Sequence, residues 1–172
     1  MKLTTRGRYA VTAMLDVAMH STHGPVSLAE VAERQHLSLS YLEQLFARLR
    51  RCGLVRSSRG PGGGYRLSRD PAEVTIADVI MAVDEPVDVT RCGGLVNCNQ
   101  DSRCLTHDLW VELSRQMQDF LSSRSLTDVL QRHLEARGVA PAMPLWQGDS
   151  QPPRRTITIA AATRQSAGSG EA

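Results

Sequence analysis

Nothing in these 172 residues approaches the roughly 20 consecutive apolar residues of a membrane-spanning helix. The stretch most like a signal peptide is the N-terminus, where Lys2, Arg6 and Arg8 precede "YAVTAMLDVAMH", but Thr12 and Asp16 interrupt the apolar run. It reads instead as an amphipathic helix of a cytoplasmic protein. The glycine run at Gly60-Pro61-Gly62-Gly63-Gly64 has no Gly-Lys-Ser/Thr after it and opens no helix, which excludes a nucleotide-phosphate loop. No second cofactor motif and no catalytic constellation is visible, so the expectation is a protein that is not an enzyme. Cysteine is scarce and oddly spaced. Of four in the chain, none forms the pair two to four residues apart that zinc sites usually include. In a reducing compartment structural disulfides are improbable. Metal binding or redox sensing is therefore the role to consider.

What is present begins with charge. The net charge is +2, but residues 1–70 hold 11 Lys and Arg against 5 Asp and Glu, while residues 71–134 hold 5 against 10. A basic first half beside an acidic second half suggests a polyanion-binding domain joined to something else.

The first half carries helical spacing. From Thr5 to about His23, Ala10, Ala13, Met14 and Val17, with Val11, Leu15 and Ala18, form a broad apolar face, and Gly24-Pro25 stops it. Ser27 with Glu30 is a capping box that opens a short helix with Leu28, Val31 and Ala32 inward. After "QHLS", Ser38 or Ser40 begins a third helix running to about Cys52. At 100° per residue, Leu42, Leu45, Phe46 and Leu49 fall on one side and Ser40, Glu43, Gln44, Ala47 and Arg51 opposite. A short helix, a tight turn and a longer helix with one polar face make a helix-turn-helix, whose second helix enters the major groove. "LVRSSRGPGGGYRLSRD" then reads as strands Leu54 to Ser58 and Tyr65 to Ser68, studded by Arg56, Arg59, Arg66 and Arg69. A basic hairpin in this position is a wing, with Arg59 at its tip placed for phosphate or minor groove. Thr75 caps a further core helix through Ile76, Val79, Ile80 and Val83.

The second half opens on "TRCGGLVNCNQDSRCLTHDLW". Cys92, Cys98, Cys104 and His107 form C-x5-C-x5-C-x2-H, with the first two in a loop because Gly93, Gly94 and Asn97 make a poor helix. If the following helix starts near Ser102, Cys104 and His107 share a face at its first turn, and the helix N-terminus favours the thiolate. Three Cys and one His would satisfy zinc, and longer loop spacings suit an iron-sulfur cluster. Spacing leaves both open, together with a metal-free redox thiol cluster. Cys52, forty residues upstream, reads as a half-buried structural cysteine. Trp110, Leu113, Met117 and Phe120 step by 3, 4 and 3, the seam spacing of helices packed side by side, either as a cover for the core or as a dimerisation helix. Leu126, Val129, Leu130 and His133 outline a last short helix. From Gly138 the composition turns to Pro, Gly, Ala, Ser and Gln, read as a disordered tail over 138–172.

"MKLTTRGRYAVTAMLDVA", "LSLSYLEQLFARLR", "GLVRSSRGPGGGY", "AVDEPVDVTRC" and "CLTHDLW" together resemble the IscR-type iron-sulfur cluster regulators, a branch of a bacterial family of winged-helix transcription factors. The likeness covers roughly residues 1–135, and "CLTH" separates this type from nitric-oxide-sensing and cysteine-free relatives. It implies a mainly α fold: a winged helix-turn-helix domain over 1–84 (helix-turn-helix about 28–51, wing about 54–68), a cluster loop over 85–104, and a dimerisation helix with a short terminal helix over 104–135. It implies one 2Fe-2S cluster per subunit on Cys92, Cys98, Cys104 and His107 of a homodimer that represses cluster-assembly genes, its own operon among them. The assembly machinery would donate the cluster, and a second class of DNA site can be bound without it. A zinc-stabilised or nitric-oxide- or iron-responsive regulator, and an iron-sulfur redox protein, are the alternatives. Candidate contacts to double-stranded DNA are Ser38, Ser40, Tyr41, Glu43, Gln44, Arg48, Arg50, Arg51 and Arg59; Gln44 can bond adenine and Glu43 can accept from cytosine N4. Ser40 and Glu43 also fit a capping box, which competes with a DNA-facing Glu43. Replacing a thiolate by a neutral imidazole at His107 implies a cluster more easily lost than an all-cysteine one.

Overall fold

A computed structural model describes residues 5–22, 24–84, 87–90, 92–99 and 102–138. The elements are α1 (Thr5–His20), α2 (Leu28–Gln35), α3 (Leu39–Arg51), β1 (Val55–Ser58), β2 (Gly64–Leu67), α4 (Ile76–Ala82), α5 (His107–Ser122) and α6 (Leu126–Ala136). The expected tail lies, beyond Gly138, outside the described residues.

Each early helix forms where its apolar stripe meets the others. Ala10, Ala13, Met14 and Val17 of α1 pack with Val31 of α2 and with Leu42, Leu45, Phe46 and Leu49 of α3. The chain enters α2 through the Ser27–Glu30 box: the Ser27 N–H donates to Glu30 Oε2 at 2.9 Å and the Glu30 N–H to Ser27 Oγ at 3.2 Å. Thr75 and Asp78 do the same for α4. One polar side chain is enclosed in this packing. Asp16 of α1 accepts from Arg34 Nη2 at 2.6 Å and Gln35 Nε2 at 2.7 Å, tying the end of α2 to α1.

The wing is an antiparallel pair, Val55 opposite Leu67 through Ser58 opposite Gly64. It is anchored to the helices by a contact the sequence pattern does not announce. Val26 exchanges both backbone hydrogen bonds with Tyr65, at 2.9 and 2.7 Å, extending the hairpin by one bridge. Close approach here demands glycine, because a Cβ on Gly64 would run into the Val26 carbonyl. Tyr65 then meets Phe46 edge-on, ring centroids 4.9 Å apart, which seats the wing on α3.

The last helix folds back on the first part of the chain. The Ile76 N–H donates to Arg124 O at 2.8 Å and the Leu126 N–H to Val74 O at 2.9 Å, so α6 starts beside α4. Leu126 and Leu130 complete the same core. Ser125 caps α6 through a box with Asp128. His133, expected on the apolar stripe, is exposed, because α6 buries only its first two turns against the core. Among the described residues no helix is long and apolar enough to cross a membrane.

Candidate nucleic-acid interface and ligand loop

The helix-turn-helix is α2 and α3, joined through His36 in the left-handed region at φ 53°. Ser38 is the N-cap of α3, its hydroxyl 3.0 Å from that of Ser40 and making no cap hydrogen bond. Ser40 is therefore the second helical residue, so it cannot form a capping box with Glu43. That leaves Glu43 exposed beside Ser40, Gln44, Ala47 and Arg51 on one solvent-facing arc. Ser38 and Arg50 flank the arc and are exposed, and Tyr41 is half-buried against Tyr9 of α1 at 6.0 Å between centroids. Arg59 is exposed beyond β1. Arg48 is placed differently: its Nη1 donates to Val83 O at 3.4 Å and pairs with Asp84, so the structure turns it toward the end of α4. Cys52 is the C-cap residue of α3 and is exposed rather than half-buried, since the helix ends before its side chain reaches the core.

The ligand loop is held by short-range polar bonds. The Thr90 N–H donates to Asp88 Oδ1 at 2.7 Å, the Gly94 N–H to Thr90 Oγ1 at 3.1 Å and the Leu95 N–H to Cys92 O at 3.0 Å. Gly93 and Gly94 take φ of 59° and 80°, the folding back their residue type permits. Asn99 and Ser102 exchange backbone bonds at 3.0 and 2.8 Å and close a second turn. Neighbouring segments fix the whole to α5: the Ser114 hydroxyl donates to Asp88 Oδ1 at 3.2 Å and accepts from the Val89 N–H at 3.1 Å. The Thr90 N–H, above all, holds the Asp88 carboxyl below its usual range, with the Thr90 and Ser114 hydroxyls adding to it against partial burial. Sequence spacing gave no sign of Ser114, because the contact spans 26 residues.

His107 is the first residue of α5 and is 4% exposed. Its Nδ1 lies 3.5 Å from Cys92 Sγ and 3.4 Å from Cys98 Sγ. One ligand atom from each of Cys92, Cys98 and His107 falls within 4.8 Å of the others. Cys104 stands outside this group. The helix begins at His107 and not near Ser102, so Cys104 and His107 do not share a helical face. The cause is local: the Cys104 N–H donates to Cys98 Sγ at 3.2 Å, which holds the residue in the loop. Leu105 and Thr106 then turn the chain, closed by the His107 N–H on Cys104 O at 3.1 Å.

The thiols are electrostatically distinct. Burial pushes the Cys92 thiol up, but hydrogen bonds from the Gly94 and Val96 backbone N–H groups, together with those of Cys98 and Thr90, hold it below its ordinary value. The hydrogen bond between Cys98 and Cys104 raises the first and lowers the second, Cys98 acting as proton donor. Such a set offers thiolates and a nearly enclosed imidazole to a thiophilic metal or an iron-sulfur centre. Its donor types fit either.

Helix α5 buries His107 alone. Trp110 is 41% and Phe120 56% exposed, Leu113 and Met117 are half-buried, and Leu109 and Val111 are also exposed. An apolar face of this extent is uncovered in the isolated chain.

Comparison with known proteins gives the same picture from another side. The Rrf2 family, described as iron-dependent transcriptional regulators, matches residues 3–132. The putative HTH-type transcriptional regulator ORF2 of Azotobacter vinelandii is 62% identical over 132 residues, covering 77% of this chain and 80% of that protein. The HTH-type transcriptional regulator IscR of Photorhabdus laumondii is 62% identical over 130 residues, covering 76% and 79%. Among solved structures, T. potens IscR superposes with a TM-score of 0.66 at 39% identity over 80% of this chain and 91% of that one. CymR, the global cysteine regulator of B. subtilis, superposes with 0.67 at 33% identity over 77% and 98%. The winged helix-turn-helix, its exposed polar arc and the loop of three cysteines and a histidine thus sit in a chain that belongs to the Rrf2 family, as a DNA-binding transcriptional regulator of the IscR type.

Proposed function

We propose that this protein is a cytoplasmic homodimer that senses iron-sulfur cluster status through a 2Fe-2S cluster on Cys92, Cys98, Cys104 and His107. It represses iron-sulfur cluster assembly genes, including its own operon, and receives its cluster from the assembly machinery. The observation that carries the reading is the convergence of Cys92, Cys98 and His107 within 4.8 Å, in a loop bonded to α5. Cys104 is the hydrogen-bond partner of Cys98, which keeps it beside the group as the fourth donor. When bound, the cluster supplies charge and a redox-sensitive crosslink between loop and helix; it is there to be sensed.

The chain's own residues do the rest. On the exposed arc of α3, Gln44, Ser40 and Glu43 read base edges; Ser38, Tyr41, Arg50 and Arg51 hold the adjacent phosphates; Arg59 reaches across from the wing. Trp110, Leu113, Met117 and Phe120 join two copies, placing two α3 helices on one face of the duplex.

The deciding experiment is anaerobic purification followed by visible absorbance with iron and acid-labile sulfide counts. A coloured protein with equal iron and sulfide, both lost in Cys92→Ala, supports the proposal. A colourless protein holding zinc overturns it. Binding to an operator duplex is expected to weaken steeply as salt rises, because phosphate contacts release counterions.

A further inference from the structure

Arg48 belongs to the recognition helix, yet its guanidinium is turned away from the exposed arc and into the protein. It donates to Val83 O at 3.4 Å and pairs with the Asp84 carboxylate. Two more side chains reach the same turn: Arg6 Nη1 to Val83 O at 3.5 Å and the Cys52 thiol to Ala82 O at 3.8 Å. Carbonyls at a helix C-terminus have no partner within the helix. Here they are closed by side chains from α1 and α3.

Asp84 also marks where the chain leaves α4. It stands at φ 57°, a left-handed conformation that Asp adopts more readily than most residues. Cys92 follows eight residues later, and the segment between is bonded to α5 through Asp88, Val89 and Ser114. The residue at which the chain turns toward the ligand-bearing segment is thus also a contact of the recognition helix. The pair itself is weak, since the Asp84 side chain is 73% exposed and surface ion pairs contribute little to stability.

We infer that the Arg48–Asp84 pair is a positioning contact that couples the state of the Cys92–His107 loop to the setting of α3. Arg48 acts on DNA affinity through the helix, without touching the duplex. This rests on the loop being a ligand site, as proposed above.

The test compares cluster-loaded protein with the same preparation stripped by a chelator, titrated by fluorescence anisotropy onto one duplex selected for binding by the wild type. The quantity is the ratio of the two affinities. Asp84→Asn keeps a residue that tolerates the left-handed turn, Arg48→Met removes the charge, and Arg48→Lys retains it. The wild-type ratio is expected to differ from one. Asp84→Asn and Arg48→Met each bring it about fivefold or more toward one, the double variant goes no further, and Arg48→Lys restores most of it. Amide hydrogen exchange in the last turn of α3 changes on loading in the wild type and not in Asp84→Asn. Variants that weaken both forms equally, with the ratio and exchange response intact, overturn the inference and leave Arg48 a DNA contact or a scaffold. A wild type that holds its cluster but shows a ratio of one overturns the sensor reading itself, and the inference with it.

Discussion

Glu43 shows how one residue's role depends on where its helix begins. Had Ser40 been the N-cap, the carboxylate would be engaged in a capping box. With Ser38 as N-cap, Glu43 is exposed on the arc proposed to read bases, with no part in a cap. A carboxylate facing DNA repels phosphate and penalises a base that cannot donate to it, so it acts by exclusion. Glu43→Ala is expected to raise affinity for poor sites more than for good ones, compressing the ranking of a duplex panel. An unchanged ranking in both cluster-loaded and stripped protein refutes this. Asp16 is the opposite kind of residue, a polar side chain serving only the fold. Its side chain is fully buried and bonded by Arg34 and Gln35. Asp16→Asn keeps the shape and loses charge-assisted bonds, which costs about 2 kcal/mol. A urea midpoint shifted down at unchanged slope is the expected reading.

At the scale of elements, the Ser27–Glu30 capping box is a short sequence signal that the structure realises, whereas the Ser40–Glu43 box that the same pattern offers is not formed. Ser27→Ala is expected to cost about 1 kcal/mol. The box also makes α2 sensitive to acid. Glu30 is held below its ordinary value of 4.5 first by the Ser27 N–H and then by the Ser27 hydroxyl. A carboxyl depressed in the folded state contributes stability that is complete above the unfolded value and lost as pH falls through the folded one. The window therefore lies below 4.5. Thermal midpoints measured from neutral pH down through that window should fall less in Glu30→Gln than in the wild type; parallel curves rule the effect out. The phase of Leu42, Leu45, Phe46 and Leu49 located the exposed arc of α3, because helical period alone decides which side of a helix meets the core. Two things escaped that kind of reading. The Val26–Tyr65 bridge and the Ser114–Asp88 bond join residues far apart in sequence, and no local pattern encodes such a pairing. The start of α5 at His107, not near Ser102, has a related cause: the Cys104 N–H bonds the sulfur of Cys98, six residues upstream, which keeps Cys104 out of the helix.

At the scale of the whole molecule, α5 presents an apolar face to solvent among the described residues. In α1 and α3 the apolar residues face a shared core, whereas in α5 Trp110, Leu113, Met117 and Phe120 line a seam that remains partly or largely in solvent. A second copy is the occupant proposed above, because a twofold pair of recognition helices reads two half-sites one or more helical turns apart. Placing a charge in the seam tests this without touching the first core: Met117→Glu or Trp110→Glu leaves α1, α3 and the wing as they are. The expected variant is folded, with unchanged far-ultraviolet dichroism, but sediments as a monomer. Its affinity for a duplex carrying both half-sites falls by about a hundredfold, the loss that follows when two linked contacts become one. Affinity for a single half-site stays the same, which separates a broken dimer from a damaged reading surface. A variant that remains dimeric by sedimentation assigns the seam to the protein's own core and moves the interface elsewhere. The ligand loop gives this outcome further weight, since Ser114, which anchors Asp88 and Val89, lies on the same helix between Trp110 and Met117. Dimerisation and loop order are then expected to shift together, with the sedimentation constant of the wild type rising at limiting concentration when the loop is loaded.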